Sequence, residues 1–128
     1  MKYLLDTSIA SLLARRNRKV IARYAANVEA CAVSSFTWYE LQYGIAKMKP
    51  GPVRQQFEGL YRVLERSIVA YDRRAAEWQA KERVRRTSAN FIDALIAATA
   101  VSRGMVLVTQ NTADFKGFRG IELEDWSR

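Results

Sequence analysis

Four widely separated carboxylates are the residues of this sequence whose types and positions could support chemistry: Asp6, Glu40, Asp93 and Asp114. Carboxylates that converge on one site repel each other and raise one another's pKa unless a cation neutralises them. The 128 residues contain no histidine and one cysteine, so the ligands of such a cation would be oxygen atoms. Oxygen ligands suit Mg²⁺, with Mn²⁺ as a possible substitute, better than they suit zinc.

The chemistry that such a site implies is metal-assisted hydrolysis of a phosphodiester bond, in which a metal ion activates water and stabilises charge on the leaving oxygen. The sequence leaves open whether one ion or two would act. The absence of histidine excludes Ser-His-Asp and Cys-His nucleophile systems. Cys31 lies in an apolar run, which predicts a buried strand residue rather than a reactive thiol.

Each acid also has an ordinary structural explanation. Asp6 could cap the helix that follows it, and Asp114 could be a turn residue in a loop. Glu40 could be a solvated helix residue, although its neighbours are largely aromatic and apolar. Asp93 fits its surroundings least: residues 91–101 are apolar nearly all round, and a buried unpaired carboxylate is costly. The helix dipole favours aspartate in a first turn, but we still expect something cationic to face Asp93.

A parallel sheet covered by helices would bring these acids together. Short β-rich runs alternate with longer helical patterns, which predicts an α/β fold, a three-layer α/β/α sandwich with a central, mostly parallel, Rossmann-like sheet. Ligands of such sheets lie outside the carboxyl ends of the strands, and Asp6 directly follows the first predicted strand. Strands are predicted at residues 3–5, 32–34, 67–70, 105–108 and 121–123, the last of them at an edge.

Helical periodicity and capping residues fill the intervals between these strands. The Pro-Gly-Pro sequence at residues 50–52 is expected to separate two of the helices. Helices are predicted at about residues 8–26 with a break near Asn17, 36–48 capped by Ser35, 53–65, from Asp72 to about 86, and 90–102 closed by Gly104.

Composition predicts one domain spanning residues 1–128, since 49% of residues are hydrophobic and 27% are charged. No apolar run is long enough to cross a bilayer and no signal peptide is evident, so we expect a cytoplasmic protein without a membrane partner. The net charge of +8 favours a nucleic-acid partner. Basic side chains that could guide phosphates, or simply lie on solvated helix faces, are Arg15, Arg16, Arg18, Lys19, Arg73, Arg74 and those within residues 83–86.

Seven segments match one known pattern: residues 3–8, 38–44, 93–98, 107–111, 114–115, 120–121 and 124–126. No single segment is decisive, but their order and spacing together are specific. On these segments the sequence resembles, across nearly its whole length, the PIN-domain ribonucleases, specifically the VapC-like toxins of bacterial toxin–antitoxin pairs.

The resemblance implies a PIN-like fold and a Mg²⁺-dependent endoribonuclease that acts on RNA. It also implies inhibition by a small cognate VapB-like antitoxin whose tail occludes the acidic pocket, and it suggests a homodimer. It assigns metal binding and catalysis to Asp6, Glu40 and Asp93, and gives Asp114 the fourth, more variable acidic position. The residues predicted to support these carboxylates are Thr7, Ser8, Thr109 and Asn111, although Ser8 stands where many relatives carry Asn.

Three aromatic residues lie close to Glu40 in the sequence. Trp38, Tyr39 and Tyr43 could stack on bases or receive an antitoxin, but we predict that at least two of them belong to the core.

Two other functions fit parts of the sequence. One is a catalytically inactive RNA- or partner-binding module of the same fold. The other is a phosphoryl-transfer enzyme or receiver domain that uses Asp6 as a covalent nucleophile. Dehalogenase-like phosphatases have a second aspartate where this chain has Ser8, and receiver domains have a lysine after a later strand, where this chain has Thr109 and Gln110. Both phosphoryl-transfer families therefore fit poorly.

Overall fold

A parallel sheet forms the middle of the molecule. The structure is a computed structural model and describes residues 2–128. Within them, five strands pair in the order β3-β2-β1-β4-β5, and every neighbouring pair is parallel. The strands are β1 (Tyr3–Leu5), β2 (Cys31–Ser34), β3 (Ile68–Val69), β4 (Val106–Val108) and β5 (Leu123–Glu124).

Helices cover both faces of this sheet. Residues of β1 alternate between the two layers: Tyr3 and Leu5 pack in one apolar cluster and Leu4 packs in the other. The prediction of a three-layer α/β/α sandwich is confirmed. The helices are α1 (Thr7–Ala14), α2 (Arg18–Asn27), α3 (Ser35–Ala46), α4 (Pro52–Leu64), α5 (Arg73–Arg85), α6 (Phe91–Ser102) and α7 (Thr112–Phe115).

The two helical layers have different members. Helices α1 to α4 contribute residues such as Ile9, Leu41 and Leu64 to the first cluster. Helices α6 and α7 contribute Ile96 and Phe115 to the second. Every residue of β1, β2 and β4 is buried, because both faces of these central strands are covered. Burial on both faces explains why these strands are uniformly apolar up to Ser34 at the end of β2, rather than alternating between apolar and polar residues.

Local capping signals place most helix ends. The predicted break near Asn17 is confirmed: its side-chain oxygen accepts a hydrogen bond from the Val20 N–H and begins α2. Asp72 caps α5 in the same way, and Gly104 takes the left-handed φ of 64° after α6. The residue that caps α3 is Ser34, not Ser35, because the Ser34 hydroxyl accepts from the Thr37 N–H at 3.0 Å.

The structure corrects the predicted tail of the chain. Asp114 lies in the short helix α7 rather than in a loop, and β5 begins two residues later than predicted, although it does lie at the sheet edge. Helix α3 ends at Ala46, before the Pro-Gly-Pro sequence, and Pro52 instead provides the first residue of α4. Proline suits that position because its missing N–H would be unbonded there in any case.

The prediction that at least two of the three aromatic residues near Glu40 belong to the core is wrong. Trp38 is half-buried, whereas Tyr39 and Tyr43 are 66% and 55% exposed. The buried side of α3 is formed by Leu41 and Ile45, so the two tyrosines, one turn apart, lie on its outer face. There their rings stack with centroids 6.3 Å apart.

No helix within residues 2–128 is both long and apolar enough to span a bilayer.

Candidate active site

Asp6 is built into the carboxyl end of the sheet. It follows β1 directly, caps α1, and is only 5% exposed. Its backbone N–H donates to the Val108 carbonyl at 3.0 Å, so the end of β1 is bonded to the end of the neighbouring strand β4. Because Leu5 is in register with Val108, the residues that follow these two strands, Asp6 and Thr109, lie side by side.

Three donors hold the Asp6 carboxylate. The Ser8 hydroxyl and the Ile9 N–H donate to Oδ1 at 2.6 and 3.1 Å, and the Thr109 hydroxyl donates to Oδ2. Burial raises the pKa of Asp6, and the hydrogen bonds from Ser8 and Thr109 oppose that rise. The carboxylate is therefore fixed in orientation, although burial makes its charged form costly.

The same two hydroxyls also fix the loop after β4. The Ser8 oxygen accepts from the Gln110 N–H at 3.2 Å, and the Thr109 oxygen accepts from the Asn111 N–H at 3.0 Å. Each hydroxyl thus donates to Asp6 and accepts from the loop. This arrangement links the orientation of Asp6 to the loop that leads to Asp114.

Glu40 comes from the other side of β1. Strand β2 is the second neighbour of β1, and α3 begins where β2 ends, so α1 and α3 both start at the carboxyl end of the sheet. The Thr7 hydroxyl, in the first residue of α1, donates to Glu40 Oε1 at 2.6 Å. Glu40 is half-buried, so it does not lie on a fully solvated helix face.

Asp93 lies in the first turn of α6, whose amino end the Asn90 side chain caps at 3.0 Å. Burial raises the pKa of Asp93, and so do the charges of Asp114, Asp6 and Glu40, in that order. Asp93 is therefore close enough to the other three acids for their charges to act on it. The four acids lie around the carboxyl ends of the central strands, as the parallel sheet predicts.

The four acids have no ion-pair partner among the described residues. Within residues 2–128, none of the four forms an ion pair with lysine or arginine, so the cationic partner expected for Asp93 is not one of these side chains. In the same residues, no three acidic, cysteine or histidine side chains are arranged to hold one ion. The charges of the other three acids thus act on Asp93, but the four carboxylates do not form a closed set of metal ligands.

This open arrangement fits a hydrated Mg²⁺ ion. Mg²⁺ usually keeps several of its waters and binds through one or two carboxylates together with a substrate phosphate. An ion bound in that way does not need three ligands already in place. A region with four uncompensated carboxylates, of which Asp6 and Asp93 have raised pKa values, would bind such a cation favourably.

Three of the four predicted supporting residues contact a carboxylate: Thr7 bonds to Glu40, and Ser8 and Thr109 bond to Asp6. The side chain of Asn111, which is exposed, makes no hydrogen bond within the described residues, and only its backbone N–H takes part in the network. The backbone contribution of Gln110 was not predicted, because backbone groups leave no signal in residue type.

Replacing Thr109 tests the hydroxyl that joins Asp6 to the loop. Thr109 is fully buried, so Thr109→Val keeps the shape of the side chain but leaves the Asn111 N–H without its partner. We expect a loss of about 1–3 kcal/mol in the free energy of unfolding. The family resemblance implies that Asp6 is a metal ligand of a ribonuclease, so we also expect RNA cleavage to fall by about 10- to 100-fold, the usual cost of removing a group that orients a metal ligand.

Urea unfolding and RNA-cleavage rates would measure the two effects of Thr109→Val. Thr109→Ser keeps the hydroxyl and is the matched control, so it should retain most of the activity. Equal activity of the Val and Ser variants would show that this hydroxyl does not orient Asp6.

The fold and the position of its acids define a class of protein, and the sequence agrees with that class. The family model of the PIN domain matches residues 3–120, so the chain belongs to the PIN-domain family. Within that family its relatives are VapC proteins. It is 33% identical over 132 residues to the tRNA(fMet)-specific endonuclease VapC of Salmonella typhimurium strain LT2, with 98% of each chain covered.

Solved structures agree with this assignment. The DNA-bound VapBC structure from Salmonella typhimurium matches with a TM-score of 0.85 and 29% identity, covering 98% of both chains. A toxin–antitoxin complex from Klebsiella pneumoniae matches with a TM-score of 0.72 and 27% identity, covering 94% of this chain and 95% of that one. The chain is thus similar to VapC-like proteins along almost its whole length.

Proposed function

We propose that this protein is a metal-dependent endoribonuclease that acts as the toxin of a toxin–antitoxin pair. The observation that carries the proposal is the placement of Asp6 and Glu40 at the carboxyl end of the sheet, where Thr109 and Thr7 bond to their carboxylates. Burial, and then the charges of Asp114, Asp6 and Glu40, raise the pKa of the nearby Asp93. Relatives named as an endonuclease and a ribonuclease, and a similar chain in a toxin–antitoxin complex, support this function.

Asp6, Glu40, Asp93 and Asp114 would hold the metal, with Mg²⁺ as the proposed ion and Mn²⁺ as its substitute. Bound there, the ion would lower the pKa of water and stabilise charge on the phosphate oxygens. The chain's own contribution is orientation. Ser8 and Thr109 fix both oxygens of Asp6, and Thr7 fixes one oxygen of Glu40.

The charge of the protein suits an RNA substrate. The formal net charge is +8 although the candidate site itself is acidic, so the protein as a whole attracts a phosphate backbone. Arg15 lies close to the acids, because it lines a small cavity together with Thr7 and Glu40. An RNA strand drawn to such cations would reach carboxylates that a bound metal ion has neutralised.

A VapB-like antitoxin is the proposed inhibitor, and the proposed state is a homodimer acting in the cytoplasm. An apolar cleft of about 560 Å³ lies between α1, α2 and α4. Ile21 and Val63 line this cleft and remain 38% and 51% exposed. Exposed apolar surface of this kind is typical of protein-binding sites, so the cleft supports a protein partner.

The test is a cleavage assay on labelled RNA with purified protein, in EDTA and then with added Mg²⁺ or Mn²⁺. We expect no cleavage in EDTA and recovery with either ion. Cleavage that persists in EDTA would contradict the metal dependence. Tight RNA binding without cleavage under any of these conditions would indicate the inactive binding module instead.

A further inference from the structure

A second, basic cavity lies next to the candidate active site. It has a volume of about 210 Å³ and lies between the end of α5, the start of α6 and the turn after α7. Phe91 and Ala94 of α6 line it, and Asp93 lies between them in the sequence. Phe118 lines its other side, four residues after Asp114. Two walls of the cavity thus continue from segments that carry candidate metal ligands.

The acidic residue of this cavity is already neutralised. Glu82 is 5% exposed, and its carboxylate accepts hydrogen bonds from the Arg85 guanidinium and, at 2.6 Å, from the backbone N–H of Arg119. These bonds, with that from Arg85 the strongest, lower the pKa of Glu82. The carboxylate is therefore not free to pair with the other two arginines of the cavity, Arg83 and Arg86.

Those two arginines leave the cavity positively charged. Neither Arg83 nor Arg86 forms an ion pair within residues 2–128. The guanidinium of Arg86 lies 4.6 Å from the centre of the Phe118 ring, and its Nη1 is buried without a hydrogen-bond partner. A partly buried guanidinium with no counter-ion and an unmade hydrogen bond is costly, and an anion in the cavity would lower that cost.

Gly117 leaves the space that the Arg86 side chain occupies. A Cβ atom at Gly117 would lie 2.8 Å from both Cζ and Nη1 of Arg86, closer than carbon and nitrogen atoms can approach. Only glycine at this position therefore allows the observed position of the guanidinium. Since Arg86 is the flexible partner in that contact, any other residue at 117 would displace Arg86 before it displaced the backbone.

The rim of the cavity carries an aromatic surface. Phe91 is 57% exposed, so one of the largest apolar side chains of α6 faces solvent at the first residue of the helix. Aromatic side chains beside arginines are a recurrent platform for single-stranded nucleic acid, since the ring stacks on a base while the guanidinium binds a phosphate.

We propose that this cavity is a binding subsite for the RNA strand beside the scissile phosphate. Arg86, supported by Arg83, binds a neighbouring phosphodiester group, and Phe91 stacks on its base. The subsite rests on the proposed ribonuclease function, because it describes where the RNA substrate continues beyond the carboxylates. Arg86 is a substrate-binding residue here and takes no part in the chemical step.

The first test measures binding without cleavage. A fluorescent single-stranded RNA is titrated in EDTA with the wild type and with Arg86→Met, at several salt concentrations. We expect binding about tenfold weaker for Arg86→Met, as for loss of one charge-assisted contact. We also expect the slope of log affinity against log salt to fall by about 0.7, which corresponds to one phosphate of a single strand.

Two further variants separate charge, position and fold. Gly117→Ala keeps the charge of Arg86 but displaces it, so it should weaken RNA binding with little change in thermal stability. Arg66→Met is the matched control: Arg66 is exposed and lies two residues before β3, at the opposite end of the sheet. Its affinity should stay within about twofold of the wild type, since a single solvated charge contributes little.

Cleavage kinetics distinguish this inference from the proposed function. With Mg²⁺, Arg86→Met should raise KM and leave kcat unchanged, because it removes a contact made equally in the ground and transition states. Normal KM and normal affinity for Arg86→Met would overturn the subsite while leaving the ribonuclease intact. RNA binding that depends on Arg86 in a protein that cleaves no RNA would support the subsite and overturn the nuclease. A wild type that binds no RNA would overturn both.

Discussion

Asp6→Asn and Asp93→Asn are each expected to lower the rate of metal-dependent RNA cleavage by about 10²- to 10³-fold, the scale seen when one group that stabilises transition-state charge is removed. Asparagine matches aspartate in shape, so neither change opens a cavity. The Asp6 backbone bond to Val108 is unaffected by the substitution. For Asp93→Asn the expected loss comes from the missing negative charge. For Asp6→Asn it also includes one hydrogen bond, because both carboxylate oxygens of Asp6 accept bonds and the amide keeps only one acceptor oxygen.

A thermal unfolding measurement in EDTA shows whether the fold is intact. Burial and three neighbouring carboxylates raise the folded-state pKa of Asp93 above its ordinary value. Ionising Asp93 thus costs folding free energy: wild-type stability falls as pH rises from the ordinary carboxyl pKa through the raised one. Asp93→Asn removes this cost, so we expect its Tm at pH 7 to lie above the wild-type value.

The stability advantage has a defined pH window. Below the ordinary carboxyl pKa, Asp93 is protonated in both the folded and unfolded states, so the advantage of Asp93→Asn should disappear there. Added Mg²⁺ should reverse the order of the two proteins at pH 7, because an ion that binds only the folded wild type stabilises it by mass action. A variant that is inactive and also less stable than the wild type at pH 7 in EDTA would point to misfolding instead.

Glu40→Gln offers a comparison within the same site. Its carboxylate accepts the Thr7 hydroxyl, and glutamine can still accept that bond while losing the charge. If the acids act together on one cation, Glu40→Gln should also reduce cleavage. Activity equal to that of the wild type would show that Glu40 is not one of the metal ligands. The other acids would then be tested by their own variants.

The position of Asp6 could be predicted because it depends on two local signals. An apolar run predicts a buried strand, and the first polar residue after such a strand lies at the carboxyl end of a parallel sheet. The contact between Asp6 and Thr109 follows from the register of β1 and β4, since both residues directly follow paired strands. Residues tied to the end of a strand are thus placed once the sheet is known.

Tyr39 and Tyr43 show where this reasoning failed, and Asn111 shows a position that it does not determine. The prediction for the two tyrosines used residue type, but the face of α3 that packs inward is set by Leu41 and Ile45. Asn111 directly precedes α7, a helix too short to have a recognisable periodicity. A side chain there can point in directions that sequence spacing does not determine.

The basic cavity could not be predicted at all. It depends on the position of Arg86 against Gly117 and Phe118, two adjacent residues that lie about thirty positions later in the sequence. The sequence identified residues 83–86 only as a set of charges. The structure distinguishes among them, because Arg85 is paired with Glu82 whereas Arg86 is not paired within the described residues. Pairing is a property of tertiary structure, so composition and periodicity do not contain it.

Trp126→Ala is expected to have the largest effect on stability, a loss of about 3–5 kcal/mol in the free energy of unfolding. Trp126 is fully buried, and its ring meets that of Tyr3 edge-on with centroids 5.1 Å apart. It lies two residues after the end of β5, so it ties the tail of the chain to the first strand. Removing a side chain of this size leaves a cavity that the surrounding sheet and helices cannot close.

Polar contacts add to this loss. The indole Nε1 donates to Glu124 Oε1 at 2.9 Å, and the same oxygen accepts from Arg23 at 2.8 Å. The Arg23 guanidinium also lies 5.3 Å from the centre of the indole ring. Trp126 therefore links the edge strand β5 to helix α2 and also fills part of the core. Trp126→Ala would lose both sets of contacts.

Urea unfolding of the wild type, Trp126→Ala and Trp126→Phe separates these contributions. Phenylalanine retains an aromatic ring against Tyr3 but cannot donate to Glu124, so it should lose clearly less stability than alanine. Small domains have about 5–15 kcal/mol in total, so a loss of this size would remove a large share of the free energy of unfolding. A loss below about 1 kcal/mol for Trp126→Ala would mean that the tail does not pack on β1. Since the edge strand β5 pairs with β4, whose carboxyl end is bonded to Asp6, release of the tail should also lower activity.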